Sequence, residues 1–243
     1  MGQRGTPDYG QYAPATTIAR LADLGELAVR LGSIVSFDRR GEVVWMDDFE
    51  DGIIKWKTSA AGAGAAVTSD TVKSRNGAKS AKLVAGSDGG KQATLYHYQP
   101  FPVSSRYGVE FSFAFETSPK HIGLRLDLYD GANHYFGDIV YRPPLTRLDY
   151  EDSNADYQAL TTTLDLLSDS IMFHTLKLVA DWSTKKYVRL LLDNNSYDLS
   201  GIDLYSAADA VTLPQVRVRV LLAGTSGNPV LYVDDVIITQ NEP

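Results

Sequence analysis

The sequence predicts a mostly β protein, an antiparallel jelly-roll β-sandwich preceded by an N-terminal arm, a short helix and a hairpin. After residue 46, apolar and polar residues alternate in short segments separated by Gly, Asn, Asp and Pro. This period of two is typical of antiparallel strands with one solvated face. No repeat of about 20 to 50 residues is found, which argues against a propeller or solenoid. For a chain of 243 residues with this pattern, one main domain is the default.

The N-terminal segment is patterned differently. Residues 1–14 are rich in Gly, Pro and Tyr and lack a hydrophobic period, which predicts an extended arm. Residues 16–31 have apolar residues at helical spacing, with Gly32 as a suitable C-terminal cap, and predict a helix. Because so short a helix is marginal alone, its apolar stripe must pack on the sandwich or on another subunit. The stripe that we assign to assembly consists of Ile18, Leu21, Leu24, Leu27 and Leu31.

Two apolar segments, residues 34–37 and 42–46, flank a short polar turn that ends in Gly41, which is typical of a β-hairpin. We therefore divide the chain into an assembly or docking unit of arm, helix and hairpin, residues 1–46, and a jelly-roll sandwich, residues 47–243.

The strands of the sandwich are predicted from alternation. In residues 122–129 the leucines point to the core, and Arg125, Asp127 and Tyr129 point to solvent. The polar segment 150–170 predicts a long surface loop with a short helical turn near residues 164–167. The other predicted strands are residues 66–70, 109–115, 176–182, 187–192, 216–220 and 231–239.

Composition excludes several classes of partner. The net charge is −7, which gives a polyphosphate no electrostatic reason to bind, so we expect no nucleic acid. The chain has no cysteine, and therefore no disulfide or thiolate metal site. No signal peptide is seen in this chain, and no window approaches a membrane-spanning length, so we expect no membrane insertion.

Three segments carry a family resemblance: residues 47–52 (DDFEDG) with Trp56, residues 74–83 (SRNGAKSAKL), and residues 231–238 (LYVDDVII). In their order and separation these segments resemble the carbohydrate-binding modules and related concanavalin-like jelly rolls. The resemblance implies that the opening and closing strands lie side by side. It also implies a structural Ca²⁺ bound by Glu50, Asp235 and main-chain oxygens near residues 76–79, since calcium prefers hard oxygen ligands.

The resemblance further implies glycan binding on an exposed sheet face, where aromatic rings stack on sugars and polar side chains bind hydroxyl groups. Because tyrosine is frequent in this chain and favoured in strands, many of its 14 tyrosines are expected to be ordinary packing residues. The candidate glycan-binding residues are Tyr96, Tyr98, Arg125, Tyr129, Tyr135 and Tyr141.

Residues for catalysis are not indicated by the sequence. Glycosidases need two carboxylates about 5 to 10 Å apart. The nearest candidates are Asp127 with Asp130 and the group Glu151, Asp152 and Asp156, and neither has the required strand spacing. The four histidines are scattered, and no nucleophile elbow, phosphate loop or dinucleotide motif is present. We therefore predict no catalytic residue and no enzyme.

The patterned N-terminal segment favours a structural role. Jelly rolls with such prefixes are similar to virion proteins of tailed phages, such as capsid decoration, tail and fibre components. We therefore expect a homo-oligomer or a partner of other virion subunits, located in a virion or an extracellular assembly, with a glycan as a further ligand. The alternative is a monomeric carbohydrate-binding module or lectin-like domain.

Overall fold

The computed structural model describes residues 40–100 and 102–243, which form two antiparallel sheets of eight strands each. The predicted arm, the helix of residues 16–31 and the strand at residues 34–37 lie outside the described residues. None of the described helical segments is long and apolar enough to span a membrane. The predicted mostly β, jelly-roll architecture is confirmed.

The first sheet has the strand order β13-β12-β11-β6-β16-β4-β3, with β1 paired to β16 beside β4. Its strands are β1 (Glu42–Asp47), β3 (Ala66–Asp70), β4 (Ser80–Val84), β6 (Arg106–Glu116), β11 (His174–Asp181), β12 (Lys186–Leu192), β13 (Asn195–Asp198) and β16 (Val230–Gln240).

The second sheet has the order β10-β9-β8-β7-β15-β5-β2, with β14 paired to β8. Its strands are β2 (Lys57–Ala61), β5 (Gln92–Pro100), β7 (His121–Tyr129), β8 (Asn133–Arg142), β9 (Arg147–Glu151), β10 (Tyr157–Thr161), β14 (Tyr205–Ala208) and β15 (Gln215–Ala223). A short 3-10 helix, Pro143–Leu145, connects β8 to β9.

Strand β16 organises the first sheet. It pairs with β6 along one edge, and with β4 and then β1 along the other. The register shifts between Asp234 and Ile237, and Asp235 takes a positive φ of 49° at this bulge. The strand beside β16 is therefore β1, and residues 42–46, which were predicted to belong to the N-terminal unit, are part of the first sheet.

The core fills the space between the two sheets with alternate side chains from each strand. Phe111 and Phe113 of β6 face Leu124 and Leu126 of β7 across the sandwich, and all four are buried. Tyr187 of β12 also lies in the core, where its hydroxyl donates to the Glu151 carbonyl at 2.7 Å and accepts from the Asp138 N–H. This contact fixes the first sheet against the strands that carry the polar face described below.

A buried ion cluster lies on the first sheet, where the segment after β16 contacts β11 and β12. The Lys177 ammonium, on β11, is 2.8 Å from the Glu242 carboxylate, and both side chains are fully buried. Arg189 of β12 contacts the other oxygen of the same carboxylate. The Glu242 N–H donates to the Arg106 carbonyl. The segment that follows β16 is thus fixed across three neighbouring strands.

The segment 150–170 differs from its prediction. Tyr157–Thr161 forms β10, which pairs with β9, and the Asp152 carboxylate accepts the N–H groups of Asn154 and Asp156 in the turn between them. Because β10 is an exposed edge strand, it has no hydrophobic alternation, and the sequence could not distinguish it from a loop. The predicted helical turn near residues 164–167 is wrong, because the Leu164 and Leu166 N–H groups bond outward to Thr146 and Tyr141.

Candidate functional site

The candidate site is the face of the second sheet that points away from the core, which we call the outer face. Four of the six predicted glycan-binding residues lie on it: Tyr96 and Tyr98 on β5, and Arg125 and Tyr129 on β7. Other residues of this face are Gln92, His121, Gly123, Asp127, His134, Phe136, Asp138, Arg142, Arg147, Asp149, Glu151, Tyr157, Arg217, Arg219 and Leu221.

The outer face is not the solvated surface that alternation predicted. Asp127, Asp138 and Asp149 are essentially buried, at 0%, 1% and 0% exposure. They are buried because arginine side chains from neighbouring strands cover them and pair with them. A buried carboxylate is tolerated only with such pairing, so this face is a built network of ion pairs.

Asp138 on β8 is the centre of this network. Its Oδ2 atom accepts hydrogen bonds from Arg125 at 2.6 and 2.9 Å, from Arg219 at 2.9 Å and from the Tyr157 hydroxyl at 3.3 Å. The same Arg125 amino group also donates to Glu151 at 2.8 Å. Strands β7, β15 and β10 therefore meet at the Asp138 carboxylate of β8, and β9 joins them through the contact of Glu151 with Arg125.

Two further clusters flank this centre. On one side, Asp127 accepts from Arg217 Nε at 2.9 Å and contacts His134 Nε2 at 2.7 Å. Burial alone would raise the pKa of Asp127, but these two partners outweigh burial and lower it. On the other side, Asp149 accepts from Arg142 at 2.7 Å and from Arg147 at 2.8 Å.

A polar depression of about 280 Å³ lies beside Asp138. This volume is at the lower limit of small-ligand pockets, about 300 to 1,000 Å³, so it suits a sugar ring better than a larger group. Its lining residues are Gln92, His121, Gly123, Arg125, Asp138, Val140, Tyr157, Arg219 and Leu221.

Three buried polar atoms in the wall of this depression have no hydrogen-bond partner among the described residues: His121 Nδ1, Asp138 Oδ1 and Arg219 Nε. Buried polar atoms are nearly always paired, so three unpaired atoms at one depression indicate groups reserved for water or a ligand. The set includes both donor and acceptor capacity, since Arg219 Nε donates and Asp138 Oδ1 accepts.

The titratable groups of the depression are held away from their usual charge states. Burial and the nearby cations Arg142, Lys120 and Arg219 lower the pKa of His121 to about 4, so its imidazole is neutral at pH 7. Burial raises the pKa of Glu151, against the opposing effect of Arg125. Burial and the carboxylates of Asp138 and Glu151 raise the pKa of Tyr157, which therefore keeps its hydroxyl proton.

Two of the predicted glycan-binding residues lie elsewhere. Tyr135 and Tyr141 occupy the core-facing positions of β8, because they alternate with His134, Phe136 and Asp138. Tyr141 is buried and its hydroxyl accepts the Leu166 N–H. The structure therefore does not bring these two tyrosines together with the other four.

The acidic residues considered for catalysis are also placed by the structure. Asp130 lies in the β7–β8 turn, where it accepts the N–H groups of Ala132 and Asn133, and it is separate from the buried Asp127. Glu151 instead approaches Asp138, since one Arg125 nitrogen contacts both carboxylates. Asp138 and Glu151 are thus a close pair that the sequence did not indicate, and both are engaged by Arg125.

The residues of the hypothetical calcium site lie near the β16 bulge. Glu50 Oε1 accepts the N–H groups of Ala78 and Lys79, and Asp234 accepts those of Arg75 and Asn76. The loop of residues 75–79 therefore points N–H groups at these carboxylates. A bound Ca²⁺ would need main-chain oxygen atoms at these positions instead.

Asp235, the second predicted calcium ligand, is buried, and burial raises its pKa to about 6. In the described residues no group of three or more His, Asp or Glu side chains could hold a metal ion. The side chains do not fit the predicted ligand set as they stand, and calcium binding itself stays a prediction.

The described residues form an antiparallel jelly-roll β-sandwich whose second sheet has a polar outer face. Neither protein-family models nor curated proteins match the sequence.

Solved structures do share the fold. The cellulose-induced protein Cip1 is 18% identical to this chain, with a TM-score of 0.54 over 80% of this chain and 96% of that one. An endo-β-1,4-glucuronan lyase from the fungus Trichoderma reesei is 12% identical, with a TM-score of 0.54 over 82% and 95%. A carbohydrate esterase from the Shiga toxin-encoding bacteriophage phi24B is 15% identical, with a TM-score of 0.50 over 82% and 99%. At these identities the likeness shows the fold alone.

Proposed function

We propose that this protein binds a glycan at the outer face of the second sheet and does not cleave it. The observation that carries the proposal is the polar depression with its three unpaired buried atoms, on His121, Asp138 and Arg219. A sugar hydroxyl is both donor and acceptor, so neighbouring hydroxyls of one ring satisfy Asp138 Oδ1 and Arg219 Nε together. A glucuronan lyase and a carbohydrate esterase share this fold, which supports a carbohydrate as the ligand.

Gly123 allows a direct test, because it lines the depression. A Cβ atom added there would lie 3.8 to 3.9 Å from its nearest neighbours, including Asp138 and Leu221, which is ordinary contact. We expect Gly123→Leu to fill the depression and lower glycan affinity at least tenfold, while the melting temperature changes by only a few degrees. Affinity electrophoresis against a panel of neutral and acidic polysaccharides, with thermal melting in parallel, measures both quantities.

The matched control is Ser196→Leu, which adds the same side chain to an exposed position on the first sheet. It should bind like the unchanged protein. Equal binding by the Gly123→Leu variant would place the binding site elsewhere and overturn the proposal.

The non-catalytic part of the proposal rests on the acidic residues. Asp138 and Glu151 share one Arg125 nitrogen, and Asp127 is held by Arg217 and His134, so each carboxylate is already engaged in the resting protein. Incubation of the full chain with the bound polysaccharide should release no new reducing ends and no unsaturated sugars. Turnover that is lost in Glu151→Gln or Asp127→Asn would show that the protein is an enzyme.

We further propose that the protein assembles into a virion-type particle as a decoration or tail component, through the predicted helix stripe. The phage esterase with the same fold supports a phage setting. The stripe residues Ile18, Leu21, Leu24, Leu27 and Leu31 lie outside the described residues, so the support for their role is the sequence pattern.

An assembly protein should be oligomeric in solution. We expect light scattering and electron microscopy of the full chain to reveal a symmetric oligomer or filament. The double variant Leu24→Lys with Leu27→Lys should dissociate it, because the apolar stripe is lost. The control Asp23→Lys with Glu26→Lys adds the same lysines beside the stripe and should assemble normally. A monomeric full chain would favour the carbohydrate-binding-module alternative.

A further inference from the structure

We infer that the glycan bound by the outer face is an extended polysaccharide that bears carboxylate groups, recognised by arginines rather than by stacked aromatic rings. This inference rests on the proposed glycan binding and names the class of ligand. It is carried by the number, position and orientation of the guanidinium groups on that face.

The first observation is the charge of the outer face. Its five arginines face four carboxylates, a balance of +1, whereas the whole chain has a net charge of −7. The outer face is therefore a locally cationic surface on an acidic protein. Such a surface attracts an anionic ligand and raises its local concentration. The arginines are Arg125, Arg142, Arg147, Arg217 and Arg219.

The second observation is the arrangement of the ion pairs in a diagonal row. Asp127 lies on β7, and Asp138 lies on the neighbouring strand β8. Asp138 is opposite Arg125, which is two residues from Asp127 along β7. Asp149 lies opposite Val140, again one strand over and two residues along in the same direction. With strands about 4.8 Å apart and about 3.4 Å per residue, successive clusters are about 8 Å apart. A row of three evenly spaced clusters suits the interior of an extended chain rather than a single sugar.

The third observation concerns the aromatic rings, which neutral glycans use for stacking. The Arg125 guanidinium lies 3.7 Å from the centre of the Phe136 ring, and the Arg142 guanidinium lies 4.9 Å from that of Tyr157. Arg217 lies over both Tyr96 and Tyr129, at 5.8 and 5.3 Å. Because guanidinium groups already occupy these rings, the face presents N–H donors to a ligand where a neutral-glycan site would present bare rings.

The fourth observation is how the arginines are held. Arg142 and Arg217 donate to their aspartates through Nε, at 2.7 and 2.9 Å. Among the described residues no side-chain acceptor is found for their terminal amino groups. A guanidinium has five N–H donors in a rigid fork, and both side chains are partly exposed, so their terminal amino groups have N–H donors available for a ligand carboxylate.

The test compares polyuronides with the same polymers after reduction of their carboxylates to alcohols. We use polygalacturonate, polymannuronate and polyglucuronate oligosaccharides and isothermal titration calorimetry on the full chain. At least one polyuronide should bind at least ten times more tightly than its reduced form. That affinity should fall as the salt concentration rises, because the contacts are between charges. Tighter binding of the reduced, neutral polymers would overturn the inference. This comparison is made with the unchanged protein alone.

The matched variants are Arg217→Gln and Arg142→Gln on the outer face and Arg106→Gln on the first sheet, where Arg106 also pairs with an aspartate. Each outer-face variant should lose about tenfold in affinity for the polyuronide, and Arg106→Gln should lose nothing. Thermal melting verifies that each variant is folded. If both outer-face variants keep full affinity, the arginine row is not the recognition element and the inference is wrong.

Failure of this inference is distinguishable from failure of the proposed function. Binding of neutral glycans that Gly123→Leu abolishes would keep the function and reject the acidic ligand. Polyuronide binding that survives in Gly123→Leu and in both outer-face arginine variants would reject the site itself.

Discussion

Glu242→Ala is expected to lower the free energy of unfolding by about 3 kcal/mol, because it removes a buried carboxylate that contacts two cations at once. Lys177, fully buried, would lose the carboxylate 2.8 Å from its ammonium, and Arg189 would lose a contact to the same group. Urea denaturation at pH 7, followed by circular dichroism, measures the change.

The control is Glu42→Ala, because Glu42 is exposed and its carboxylate accepts a hydrogen bond from the Asn241 side-chain amide. It should cost no more than about 0.5 kcal/mol. The double variant Lys177→Met with Glu242→Leu removes the Lys177–Glu242 pair as a whole and should recover part of the lost stability, although Arg189 still loses its contact to Glu242. A loss below 1 kcal/mol in Glu242→Ala would mean that the cluster is not the stabilising element described above.

Asp138→Ala should cost about 3 kcal/mol or more, by the same physical effect at the centre of the outer face. Arg125 and Arg219 sit directly opposite each other on β7 and β15, and like charges in that position repel. Asp138 is the carboxylate that both of them contact, so its removal leaves the repulsion without compensation. Denaturant titration at low and high salt would detect the loss, which added salt should partly relieve.

Asp165→Ala is the matched control, since Asp165 is exposed on the surface and its loss should change stability by no more than about 0.5 kcal/mol. Adding Arg219→Gln to Asp138→Ala removes one of the two repelling charges and should restore part of the stability. If the stability losses caused by Asp138→Ala and by Arg219→Gln simply add in the double variant, the two residues do not act as one network. Residues that contact the same carboxylate are expected to couple instead.

The sequence predicted the strands that have one apolar side. In β7 and β15 every second residue is a leucine, isoleucine or valine, and both strands have the predicted positions. Residues 42–46 were also predicted as a strand, but in the N-terminal hairpin rather than in the sheet where β1 pairs with β16. β10 was missed because an edge strand buries no side chain that would produce alternation.

The candidate site was only partly predictable. Arg125, Asp127, Arg217 and Arg219 were visible as polar residues between leucines and valines, and this pattern is the normal sign of a solvated face. Their burial follows from pairing across strands, such as Arg217 opposite Asp127, and register is set by the fold rather than by the local sequence. His121 and Asp138 gave no signal at all, since neither belongs to a motif with characteristic spacing.

The position of β16 has a consequence for the order in which the chain folds. This strand follows every other strand in the sequence, yet it lies between β6 on one side and β4 and β1 on the other. Pairing Glu42 with Gln240 closes a loop of nearly the whole sandwich, and such non-local contacts slow folding. During synthesis on the ribosome the first sheet has no central strand until β16 has emerged. Until then β4 and β6 would expose unpaired edges. A chaperone that shields strand edges would therefore benefit this protein more than it would benefit a protein whose strands pair with their neighbours in sequence.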